Sequence, residues 1–143
     1  MKCMTAVIEA AIKNDVYVII DWHAHTMHTA EAKDFFGKMA QKYGKYPNVI
    51  YEIYNEPVED SWESLREYGK TIIDEIRKYD SDNIILVGCP HWDQDIDKAA
   101  AAQHTVAWIR WVVRCLFIRF LYFLFMFILV RFELWCKSSY IIY

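Results

Sequence analysis

The sequence predicts an α/β fold built on a parallel sheet, and three observations predict it. Runs of β-branched and aromatic residues begin at residues 16, 49 and 84, spacings of 33 and 35 residues. A helix-length amphipathic stretch lies between each pair, the rhythm of parallel strands joined by crossover helices. Each run then ends in polar and aromatic groups. These are Asp21-Trp22-His23-Ala24-His25, Asn55-Glu56, and Cys89-Pro90-His91-Trp92-Asp93-Gln94-Asp95. A doubly wound sheet and a (β/α)8 barrel both fit this spacing. No GxGxxG or GxxxxGK[ST] loop is present, which argues against a nucleotide-binding fold.

Each element has a local reason. Residues 5–14 read as the end of a helix, broken at Asn14-Asp15. Val16-Tyr17-Val18-Ile19-Ile20-Asp21 is a continuous apolar run, which suits a strand covered on both faces. Residues 30–43 form the next helix, with Phe35, Phe36, Met39, Ala40 and Tyr43 on one stripe, and Gly44 as its stop. Residues 49–54 are the second strand, ended by Pro57, which cannot donate to a ladder. Asp60 and Glu63 have capping-box spacing before a helix over 61–79. Its buried stripe is Trp62, Leu65, Ile72, Ile73, Ile76 and Tyr79. Residues 84–88 are the third strand.

Composition divides the 143 residues in two. Residues 1–103 carry 11 basic and 18 acidic residues, and residues 104–143 carry five and one, giving the net charge of −3. The acidic part argues against nucleic acid as a partner. Cys3, Cys89, Cys115 and Cys136 have no CxxC spacing, so they read as scattered thiols rather than a zinc site or disulfide framework. Residues 1–14 are amphipathic and contain Glu9, unlike a signal peptide.

If the strands are parallel, the three polar ends gather on one edge, where ligands bind in such folds. Carboxylate, imidazole, amide and indole then line one cleft. Amides and imidazoles hydrogen-bond hydroxyls, and indoles stack on the apolar faces of sugar rings, so the set suits a carbohydrate. Blander readings stand beside this one. His23 and His25 have a metal-ligand spacing, or His23 is a structural histidine bonded to backbone. Glu56 could serve as a cap or ion-pair partner, and Trp92 could be core. His28, His91 and His104 read as surface residues.

The motifs together resemble glycoside hydrolase family 5, in its cellulase (endo-β-1,4-glucanase) branch. They are Val18-Ile19-Ile20-Asp21-Trp22-His23, Tyr43-Gly44 with Pro47-Asn48-Val49-Ile50-Tyr51-Glu52, Asn55-Glu56-Pro57, Asp80-Ser81-Asp82-Asn83-Ile84-Ile85 and Trp92-Asp93-Gln94-Asp95. The resemblance covers roughly residues 5–103 and implies a fragment of a (β/α)8 TIM barrel, its third to fifth βα units. It implies retaining hydrolysis of β-1,4-glucan without metal or cofactor. Glu56 is similar to the family's general acid/base, and Asn55 to the amide that holds the sugar 2-hydroxyl. His23 is similar to an active-site histidine, and Trp92 to a glucose-stacking residue. Secretion is implied by relatives.

The nucleophile is unassigned. In the family it ends the seventh strand, after a His-x-Tyr element on the sixth, and neither motif appears. The family's early arginine is also absent. Glu133 in Phe132-Glu133-Leu134-Trp135 is only superficially similar. The expectation is a partial barrel domain at 1–103, inactive by itself, and a hydrophobic helical tail at 104–143 foreign to the family. In residues 106–130, 22 of 25 are apolar and three are arginine. The tail reads as a membrane segment, a helix of a rearranged core, or unrelated coding, the abrupt change in composition favouring the last. Other readings of the chain are a non-catalytic carbohydrate-binding remnant and a membrane-anchored protein.

Overall fold

A computed structural model describes residues 2–95, 97 and 101. The order is α1 (Lys2–Lys13), β1 (Val18–Asp21), α2 (Thr29–Tyr43), β2 (Val49–Glu52), α3 (Trp62–Ile76), β3 (Ile85–Leu86) and a short turn of helix, α4 (Pro90–Asp93). The strands form one sheet in the order β1-β2-β3, and both pairings are parallel. Val18 pairs with Val49 and Asp21 with Glu52, while Tyr51 pairs with Ile85 and Glu52 with Leu86. All three strands therefore end on the same edge, as the expected parallel pattern requires.

The core lies between the sheet and its helices. Ile20, Tyr51 and Ile85 are fully buried with Phe36, Ile72 and Ile76. Phe36 meets Tyr51 edge-on at 6.2 Å between ring centroids, a favoured aromatic geometry. Met4 and Ile8 anchor α1 in the same cluster. The amphipathic stripes of α2 and α3 are the source of this burial.

The edge at the strands' amino ends is closed by polar bonds. Asp80 Oδ2 accepts the Tyr51 hydroxyl at 2.7 Å and the Asn83 amide at 2.8 Å, while its Oδ1 accepts the Asn83 backbone N–H at 3.0 Å. Asn83 Nδ2 also donates to the Tyr46 carbonyl at 2.9 Å, and Arg77 donates to the carbonyls of Asp80 and Asn83. The loops after α2 and α3 are thereby tied together. Burial and the neighbouring Asp80 carboxylate raise the Tyr51 phenol well above its ordinary range.

Several local expectations are corrected. Ser61, not Asp60, caps α3, its hydroxyl accepting the Ser64 N–H at 3.2 Å. Asp60 instead accepts the Tyr54 hydroxyl at 2.9 Å, so Glu63 completes no box. Tyr79 lies beyond α3 and is 48% exposed, and Val16 and Tyr17 stand exposed ahead of β1. Gly44 does end α2, but in right-handed backbone. Its reason is space: a Cβ there would lie 2.6 Å from the Ala40 carbonyl and 2.7 Å from Asp80 Cβ. The hydrophobic tail, its expected helix, residues 106–130 and Glu133 lie outside the described residues. Among the described residues no helix is long and apolar enough to cross a membrane.

Candidate active site

Backbone pairing gathers the expected residues on the carboxyl edge of the sheet. The ladder continues past β1 and β2, where Trp22 N–H donates to the Glu52 carbonyl at 2.9 Å. Ile53 N–H donates to Leu86 at 3.1 Å, and Asn55 N–H to Trp22 at 3.3 Å. His23 and Asn55 therefore leave adjacent strands side by side. The segment after β3 joins them through Trp92 N–H to the Pro57 carbonyl at 2.9 Å and His91 N–H to Val58 at 3.2 Å. The turn that carries Trp92 is thus bonded to the two residues that follow Glu56.

Each side chain sits where chemistry could use it. His23 is partly exposed, and its Nδ1 lies 3.0 Å from Asp21 Oδ2, whose side chain is wholly buried. A buried carboxylate on one ring nitrogen orients the imidazole and aims the other nitrogen outward. Asp21 was expected at this edge but was given no role, although the Asp-x-His spacing signals one. Asn55 is buried at 7% exposure, and Glu56 is half-buried. Trp92 is 54% exposed, which excludes the core reading and leaves an indole face open. His25 stands exposed beside His23 with ring centroids 5.9 Å apart. No cluster of three metal-ligating side chains occurs among the described residues. His28 and His91 are exposed, as expected, and His104 lies outside the described residues.

The Trp92 turn has unusual backbone. His91, Trp92 and Asp93 take φ of 55°, 54° and 61°. This left-handed region costs non-glycine residues about 1–2 kcal/mol each, so the turn needs external ties. One is Asp93 Oδ1, which accepts the Cys89 N–H at 2.7 Å. Burial pushes the Asp93 carboxyl up to about 6; the Cys89 N–H opposes this and the nearby Glu56 charge adds to it. Sequence reasoning placed Asp93 in a motif but gave it no role.

Residues 1–107 match the family model described as cellulase, glycosyl hydrolase family 5. Endoglucanase Z of Dickeya dadantii is 50% identical over 97 residues, covering 66% of this chain and 23% of the relative. Endoglucanase A of Evansella cellulosilytica is 45% identical over 104 residues, 67% of this chain and 21% of the relative. The chain thus spans less than a quarter of the length of these two relatives. The catalytic domain of a Thermobifida fusca endoglucanase superposes with a TM-score of 0.64 at 33% identity, over 74% of this chain and 38% of that one. A variant of that enzyme has been solved in complex with cellotetraose.

Proposed function

Because this chain belongs to glycosyl hydrolase family 5, the cellulase family, and is a fragment of its (β/α)8 barrel, we propose that residues 1–103 supply the acid/base side of a retaining β-1,4-glucan hydrolase. These residues correspond to the third to fifth βα units. The observation that carries the reading is the bonding of the Trp92 turn to Pro57 and Val58, directly after Glu56. A general acid and a sugar platform then share one edge.

The chemistry follows from the groups. A glycosidic oxygen leaves poorly until protonated, and Glu56 donates that proton. A second carboxylate, about 5–5.5 Å from the first, attacks the anomeric carbon from the opposite face. The glycosidic C–O bond breaks and a glycosyl ester forms; Glu56 then takes a proton from water, which attacks the anomeric carbon and releases the second carboxylate. Asn55 holds the 2-hydroxyl, and this contact strengthens as the oxocarbenium character grows. His23, aimed by Asp21, hydrogen-bonds a ring hydroxyl. Trp92 stacks on a glucose face. The attacking carboxylate has no assigned residue within 2–95, and the behaviour expected of the chain alone is glucan binding without cleavage. The proposed setting is extracellular, where polymeric glucan is found.

Two assays test this. The full chain should be retained on insoluble cellulose and release no reducing sugar from carboxymethylcellulose. Absence of retention contradicts the glucan reading. Hydrolysis that survives Glu56→Gln contradicts the acid/base assignment, whereas hydrolysis abolished by it would show that the chain carries its own nucleophile.

A further inference from the structure

We propose that Asp93 is a positioning residue: it closes the turn after β3 onto the Cys89 amide and so holds the Trp92 indole, and a second carboxyl, beside Glu56. The inference rests on reading Glu56 as the acid/base. Its geometric basis is the packing of three short segments. Asp93 Oδ1 accepts the Cys89 N–H at 2.7 Å, and Asp93 N–H donates to the Cys89 carbonyl at 3.1 Å. The two bonds close a ring around a turn that holds three left-handed residues and no glycine. Gly88, just before it, has no room for a side chain. A Cβ there would lie 2.7 Å from Pro57 Cδ and 2.8 Å from Asp93 Oδ1. Asp93, Gly88 and Pro57 are therefore packed face to face, and Pro57 is the residue next to Glu56.

The same arrangement separates Asp93 from the missing nucleophile. A nucleophile must be ionised and open to the anomeric carbon. The Asp93 carboxyl is turned back onto its own backbone, and its burial favours the protonated form. The charge of the neighbouring Glu56 adds to that preference. The titratable groups around Asp93 are Glu56 across the turn, the buried Cys89 thiol, and His91, which Asp95 engages at 2.8 Å.

The test uses the full chain and needs no sugar. Fluorine NMR on 5-fluorotryptophan protein follows the Trp92 signal, assigned with Trp92→Phe. Carbon NMR follows the Asp93 carboxyl through a pH titration. Asp93→Ala should move the Trp92 signal to that of a solvent-averaged indole and leave the buried Trp22 signal in place. Asp93→Asn keeps an oxygen for the Cys89 amide and should preserve the Trp92 signal. Glu56→Gln removes the neighbouring charge and should lower the Asp93 midpoint. A native Trp92 signal in Asp93→Ala, or an Asp93 midpoint unchanged by Glu56→Gln, overturns the inference. If Asp93→Ala does not fold, the Asp93 midpoint in Glu56→Gln decides alone. Failure of the native chain to bind cellotetraose would remove the hydrolase reading without altering either spectroscopic result.

Discussion

The two edges of this small sheet use polar residues in opposite ways. At the amino edge Tyr51, Asp80 and Asn83 are buried and bonded to one another, and Arg77 closes the network on backbone carbonyls. At the carboxyl edge His23 keeps 24% of its side chain exposed, Glu56 is half-buried and Trp92 is 54% exposed. Asp21 bonds the His23 ring and Asp93 the Cys89 amide, each orienting its neighbour. One edge holds the fold and the other presents chemistry, the division of labour expected of a parallel barrel.

The contrast can be broken first at the closed edge. Asp80→Ala strips the acceptor from Tyr51, Asn83 and two backbone amides. Removing one member of a buried charged network costs roughly 3–5 kcal/mol. Chemical denaturation should show that loss, while Glu56→Gln should leave the denaturation midpoint nearly unchanged.

Next comes the pH dependence of the open edge. The Asp93 carboxyl is raised from an ordinary 3.8 to about 6 in the fold. Between those values the native state binds more protons than the unfolded chain, so stability falls as pH rises. The contribution is full below about pH 4 and lost once pH passes about 6. The two pKa units correspond to about 3 kcal/mol, discounted to on the order of 2 kcal/mol for partial solvation. Asp93→Asn should flatten that limb of the stability profile.

A smaller effect separates binding from folding. Trp92→Ala should change stability by no more than about 0.5 kcal/mol, because the side chain is exposed. It should weaken cellotetraose affinity by roughly tenfold, the worth of one aromatic stacking contact. Titration calorimetry on the pair of proteins checks both halves. The smallest effect belongs to the solvated helix faces, where Lys70 meets Asp74 at 2.6 Å with both side chains about half exposed. Lys70→Ala should cost less than about 0.5 kcal/mol, and less still in high salt.

Much of the fold was legible because period and burial agree. The stripes of α2 and α3, Tyr79 excepted, and Val18, Ile20, Val49, Tyr51 and Ile85 of the strand runs lie in the core or pack against it, and Tyr43 and Ile76 sit where the pattern puts them. The errors fall where local chemistry has near-equivalent choices. Asp60 and Ser61 can each cap a helix, and tertiary contact with Tyr54 decides between them. Strand limits were also blurred, since Val16 and Tyr17 continue an apolar run but lie beyond the Val18–Val49 pairing. His23, Asn55, Glu56 and Trp92, the residues of the proposed site, were legible as types at strand ends. Asp93 was not, because its bond to Cys89 depends on a left-handed turn that no glycine announces.

If glucan engages the open edge beside Glu56 and leaves the closed edge untouched, an NMR titration of the full chain with cellotetraose will show it. Signals of His23, Asn55, Glu56 and Trp92 should move together and saturate with one dissociation constant, while those of Tyr51, Asp80 and Asn83 stay still. Shifts confined to the Asp80 edge, or none at the four residues at saturating sugar, would rule out glucan binding at the open edge.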